Sequence, residues 1–136
     1  MKMGVTPLVL VVSIAFSLNC EVDAMCHDVA SALGSWVGDG SAAALIKTKC
    51  VGMNRGTNSW RKGAKVRGIC NSIPRSTPVA TFVGKKFRGH AGIFVRCSRD
   101  GIHIYDQTPM RTLGIRMIPW RGSIVSRNAE NYFVIH

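Results

Sequence analysis

Beyond Pro78 the chain breaks into apolar runs of strand length: Val79 to Val83, Ala91 to Cys97, Ile102 to Tyr105, Ile115 to Ile118 and Tyr132 to Ile135. Runs this short, separated by turn residues, read as strands rather than helices. Between two of them lies Ser98-Arg99-Asp100-Gly101. A three-residue turn of Arg99, Asp100 and Gly101, with glycine in the left-handed conformation, joins the flanking strands as a hairpin. The second half of the chain is therefore expected to form an antiparallel sheet.

The first half has a different rhythm. In residues 25–37, Val29, Leu33 and Val37 recur at helical spacing, weakened by Gly34. A turn over Gly38 to Ser41 follows, then a second helical segment over residues 42–54, interrupted by Gly52 and ended by Gly56. Residues 55–72 are basic and polar and are expected to form a surface loop, and the two prolines of IPRSTP (73–78) suit a turn. Helices first and strands afterwards make an α+β domain, with N-terminal helices packed on an antiparallel β-sheet. No repeat, linker or low-complexity tract divides it.

The first residues stand apart from this pattern. Lys2 precedes an unbroken apolar run, residues 8–16, and polar residues follow from Ser17 to Ala24. That is the layout of a secretory signal peptide, too short to serve as a membrane anchor. Cleavage is expected after Ser17, giving a domain of residues 18–136, with Ala24 as the alternative end. The product is then secreted into an oxidising space that permits disulfides.

The chain carries 18 Lys and Arg against 7 Asp and Glu, a net charge of +11. So strong an imbalance points to an anionic partner. Arg61, Lys62, Lys65 and Arg67 concentrate it, and Lys85, Lys86 and Arg88 carry it toward His90. No aromatic-interleaved recognition motif for nucleic acid appears. No metal or other cofactor is expected: Cys26, His27, Cys50 and His90 lack the CxxC or HxxxH spacing of a zinc site. A monomer is expected.

Cys50, His90 and Asp106 are the residues with chemical potential. A thiol acts as a nucleophile once a helix N-terminus or an imidazolium favours its thiolate. A histidine serves as base and then as acid, and a third polar group fixes its tautomer. Trp60, Arg61 and Lys62 lie soon after Cys50 and are groove candidates, as is Gln107 beside Asp106. His27, His103 and His136 read as surface residues, and Trp36 and Trp120 as partly packed ones.

The strings around these residues are more specific than the residues alone. Cys50-Val51, SWRKG (59–63), Ile73-Pro74, VATFV (79–83), GHAGIFV (89–95), DGIHIYDQ (100–107) and NAENYFVIH (128–136) occur in that order. This ordered set resembles the type VI secretion amidase effectors of family 2, papain-like enzymes related to NlpC/P60 peptidases. With the leader, it is most similar to their secreted arthropod relatives, the domesticated amidase effectors. The resemblance spans roughly residues 45–136. It implies a papain-like NlpC/P60-type domain and a peptidoglycan amidase that cuts the amide between D-Ala and meso-diaminopimelate, acting as an antibacterial factor. It implies Cys50 as nucleophile, His90 as base and Asp106 as the third residue. The sequence departs from the family where Gly52 and Asn54-Arg55-Gly56 shorten the segment after Cys50, and where Thr108-Pro109 follows the DQ pair.

Two expectations follow. A three-residue turn pairs Ser98 with Ile102 and sets Asp106 opposite Phe94, about 13 Å along the strand from His90. Contact then requires a bulge or another register, with Gln107 or a backbone carbonyl as the alternative orienting group. If Cys50 stays a free thiol, Cys20, Cys26, Cys70 and Cys97 remain to form two disulfides, provided that cleavage follows Ser17. Rival functions are a non-catalytic cationic antimicrobial or wall-binding protein and, less favoured, a secreted basic nuclease.

Overall fold

The computed structural model describes residues 25–136. The expected leader, its cleavage sites and Cys20 lie outside these residues. Six strands form one antiparallel sheet: β1 (Lys62–Lys65), β2 (Pro78–Val83), β3 (Lys86–Cys97), β4 (Gly101–Thr108), β5 (Arg111–Pro119) and β6 (Tyr132–Ile135). Their order across the sheet is β1-β6-β2-β3-β4-β5. The α-helix α1 (Ala42–Lys49) lies against β3 and β4.

The strand runs of the second half form where expected, because apolar residues on both sheet faces find partners. Along β3, Ala91 and Ile93 join a cluster with Leu45 and Ile46 of α1. Phe94 joins the opposite cluster, with Ile102, Ile104, Ile118 and Tyr132. Successive side chains point to opposite faces, so His90 and Gly92 share the face of Phe94, away from the helix. On β4, Tyr105 and Gln107 face α1, whereas Ile104 and Asp106 face away.

Three expectations change in the first half. Residues 25–37 do not make an α-helix; only a 3-10 turn at Ala30–Ala32 forms. Asp28, Gly34 and Gly38 hold φ of 56°, 86° and 60°, which breaks any continuous right-handed helix. The second helical segment stops at Lys49, with Cys50 as its C-cap. The basic stretch is not all loop: β1 pairs with β6, Lys62 opposite Ile135. The N-terminus of α1 is capped by Ser41, whose Oγ accepts from the Ala44 N–H at 3.1 Å.

Register sets up the site. Cys97, not Ser98, pairs with Ile102, and a bulge lies between Phe94 and Arg96. Phe94 consequently faces Ile104 and Ile93 faces Tyr105. These one-residue changes add to two, carrying Asp106 from the level of Phe94 to that of Gly92.

Candidate active site around His90 and Asp106

Gly89 turns the chain into the site with φ 105°, and a Cβ there would lie 2.6 Å from Thr81 Oγ1. That same Oγ1 accepts from the His90 N–H at 2.9 Å and donates to the Arg88 carbonyl. The start of β3 is thereby pinned to β2, and with it the root of the His90 side chain.

Asp106 reaches His90 diagonally across the β3–β4 pair. Its Oδ2 lies 2.8 Å from His90 Nε2. The expected 13 Å separation is corrected by the shorter pairing and the bulge, because diagonal neighbours on one sheet face lie within side-chain reach. Both residues are buried, His90 at 7% exposure and Asp106 at 0%. Two arginines complete the surroundings. Arg116 donates to Oδ2 from Nε at 3.0 Å and from Nη2 at 2.6 Å, and Arg111 donates to Oδ1 at 3.2 Å.

Burial opposes the charge of Asp106. Hydrogen bonds from His90, Arg111 and Arg116 more than offset it, and the pKa is lowered to about 2. Asp106 is therefore ionised at neutral pH and can only accept. In a neutral ring Nε2 must then carry the His90 proton, which leaves the Nδ1 lone pair able to accept one. Nδ1 makes no hydrogen bond to a described residue. Tyr132 packs on this face, its phenol pKa raised by burial, and donates to the Ser126 carbonyl at 2.7 Å.

Arg111 and Arg116 were not among the sequence candidates. The available signal was strand alternation: Arg116 lies two residues before the buried Ile118 on the same face, and two strand positions diagonally from Asp106.

The structure corrects the cysteine assignment. Cys50 is not a free thiol but is bonded to Cys26, and Cys70 is bonded to Cys97. All four cysteines among the described residues are thus oxidised, and the pairing that required Cys20 is replaced. Cys50 also occupies the C-terminal end of α1, its N–H bonded to the Ile46 carbonyl. That is the negative end of the helix dipole, the wrong end for stabilising a thiolate. Nor does Cys50 adjoin His90. Cys26 donates its N–H to Ser76, and Ser76 donates its N–H to Phe94, four residues along β3 from His90. Cys50 and Cys26 also belong to the helix-side cluster, whereas His90 faces away from it.

Other candidates are also redistributed. Trp60 is 2% exposed and packs edge-on against Phe87 at 4.9 Å, so it is core rather than groove wall. Its indole N–H has no hydrogen-bond partner among the described residues. Gln107 is fully buried. Its Oε1 accepts from Val37 N–H, and its Nε2 donates to the carbonyls of Val37 and Ser41, each at 2.8 Å. Its hydrogen-bonding groups are spent clamping the loop before α1, not open to substrate. Arg61 and Lys62 are exposed, with the Lys62 ammonium 4.5 Å from the Phe133 ring centre. Lys62 lies three strands from His90, about 14 Å across a sheet.

The family profile of Domesticated amidase effector 2 matches residues 14–135. The chain belongs to the domesticated amidase effector 2 family. The Domesticated amidase effector 2 of Ixodes scapularis is 34% identical to it over 130 residues, covering 90% of this chain and 92% of the relative. Among solved structures, Type 6 secretion amidase effector 2 superposes with a TM-score of 0.70 at 24% identity, covering 82% of this chain and 92% of that one. The shared fold is that of a small α+β papain-like domain. Membership in the domesticated amidase effectors thus agrees with the sequence resemblance, while the oxidised Cys50 does not fit the thiol role that the resemblance implied.

Proposed function

We propose that this chain is a secreted antibacterial amidase that hydrolyses peptide amide bonds in peptidoglycan, above all the D-Ala–meso-diaminopimelate cross-link. The observation that best supports this reading is the buried His90–Asp106 pair in a chain of amidase-effector family. Asp106 holds the imidazole, and Nδ1 draws a proton from the attacking group. That proton is then available to the leaving amine, so the nitrogen departs neutral. Cys50 can supply the attack only after reduction from Cys26 and movement toward His90. The same base can instead activate a water molecule.

Mass spectrometry of soluble muropeptides released from purified sacculi tests this, using oxidised and reduced protein with His90→Ala as the control. Release at the cross-link that His90→Ala abolishes is the expected result. No release in either redox state overturns the amidase reading. Cys50→Ala separates the two routes: activity that needs reductant and this cysteine is thiol chemistry, and activity indifferent to both proceeds through water.

One observation favours a second reading. Cys50 is sealed with Cys26 on the helix side of the sheet, while the net charge of +11 suits an anionic envelope. A non-catalytic wall-binding protein would bind sacculi without releasing peptides, survive thiol blockade and lose affinity steeply with salt.

A further inference from the structure

Beside the His90–Asp106 pair, a cleft of roughly 430 Å³ opens between the end of β5 and the segment that follows it. Arg116, Arg121 and Arg127 line it, with Ser123 and no acidic residue. Arg121 and Arg127 are exposed and form no ion pair with a described carboxylate. Arg116 binds Asp106 through Nε and Nη2, leaving Nη1 outside that contact.

The segment is folded tightly enough to hold these cations together. A Cβ on Gly122 would lie 1.7 Å from the Arg127 carbonyl oxygen, so only glycine permits that approach. The segment that carries Arg121 and Arg127 also passes the start of β3: Val125, in the 3-10 turn Val125–Arg127, would lie 3.7 Å from a Cβ on Gly89, the residue before His90.

We propose that this arginine cleft binds a free carboxylate of the peptide whose amide is presented to His90. A guanidinium offers paired donors that match the two oxygens of a carboxylate. Arg121 and Arg127 bring two uncompensated guanidinium groups to one opening beside Arg116, whose charge Asp106 meets, and an anion that entered would relieve their mutual repulsion. The inference rests on the peptidoglycan reading for the peptide's identity: cross-linked stems carry free carboxylates close to their amides. It goes further in assigning the residues that recognise one end of the substrate and so set its direction across His90.

Calorimetry in a His90→Ala background separates binding from turnover. The probe is a soluble cross-linked muropeptide, compared with the same molecule amidated at its free carboxylates. Amidation is expected to weaken binding about tenfold or more, from loss of charge-assisted hydrogen bonds. Adding Arg121→Gln and Arg127→Gln is expected to remove that preference without lowering the thermal midpoint, since both side chains are exposed. Equal binding of the two probes, or a preference that survives both substitutions, overturns the proposal. Poly(glycerol phosphate) binding that needs both arginines, with no carboxylate preference, assigns the cleft to phosphate and also overturns it. Failure of the parent protein to release any muropeptide, with the carboxylate preference intact, defeats the amidase reading alone.

Discussion

Asp106 Oδ2 accepts from His90 Nε2 at 2.8 Å and from Arg116 Nη2 at 2.6 Å, so one carboxylate oxygen joins the imidazole to the wall of the arginine cleft. Asp106→Asn keeps the size and removes the charge. The amide then offers only one acceptor oxygen to His90 and the two arginines, and the imidazole is free to take the wrong tautomer. Muropeptide release is expected to fall at least a hundredfold, in line with the loss of a tautomer-fixing aspartate elsewhere. Urea denaturation is expected to show a loss of about 3 kcal/mol, because two guanidinium groups lose their buried counter-charge. Unchanged release would remove Asp106 from the mechanism.

The same carboxylate sets an acid limit. In the fold its pKa is held at about 2, below the 3.8 usual for an aspartate, by the hydrogen bonds from His90, Arg111 and Arg116. A depressed folded-state pKa contributes stability that is fully present above the unfolded value and lost as pH falls toward the folded one. The difference amounts to about 2 kcal/mol. Denaturation midpoints are expected to be flat with respect to this group above about pH 5 and to decline between pH 4 and 2. Asp106→Asn should flatten that decline, and an equal slope in the variant would contradict the assignment.

Gly89→Ala meets two obstacles at once, a positive φ and a contact of 2.6 Å with Thr81 Oγ1. The hydroxyl that accepts from the His90 N–H must move, so the imidazole loses its anchor. Stability is expected to fall by about 2 kcal/mol, from the left-handed conformation and the displaced hydrogen bond. Amide exchange at His90 should accelerate, and a variant with native exchange there would refute the pinning role.

The Cys26–Cys50 bond joins positions 24 residues apart. Closing a loop of that size stabilises by about 3 kcal/mol through restriction of the unfolded chain. The Cys26→Ala and Cys50→Ala double variant is expected to lower the denaturation midpoint accordingly while leaving Cys70–Cys97 intact. Intact mass with and without alkylation checks the pairing, and two alkylated thiols at Cys26 and Cys50 in the unreduced protein would contradict it.

Gln107→Leu removes the amide that serves three backbone groups of Val37 and Ser41. The buried Val37 N–H would be left unsatisfied, while the Val37 carbonyl would keep the Gly40 N–H, a loss of about 2 kcal/mol. The loss should appear as faster exchange at Val37 and an earlier urea transition. A neutral outcome would place the clamp elsewhere.

Much of the strand pattern was legible. Tyr132–Ile135 and most of β2 are apolar runs whose burial on both faces left little choice of conformation. The helix expected over residues 25–37 was not, because apolar spacing cannot register the positive φ at Asp28, Gly34 and Gly38. Strand β1 was hidden as well. Lys62-Gly63-Ala64-Lys65 has neither alternation nor β-branched residues, and it pairs because Gly63 lets Val134 and His136 approach closely. His90 and Asp106 were identified together, yet their contact depended on the bulge between Phe94 and Arg96, which no local signal marks. Cysteine pairing was the least legible feature, since it depends on which chain segments meet. The thiol expected to be free is the one that ties the N-terminal segment to the helix.

Strand β6 lies between β1 and β2, although some fifty residues separate it from β2 along the chain. Neither neighbour can complete its hydrogen bonding until residue 135 has been synthesised. The hairpins β2–β3, β3–β4 and β4–β5 can pair as they emerge, but β1 has no place to dock before then. Completion of the sheet therefore waits on β6, and β1 stays without a partner strand until β6 is made.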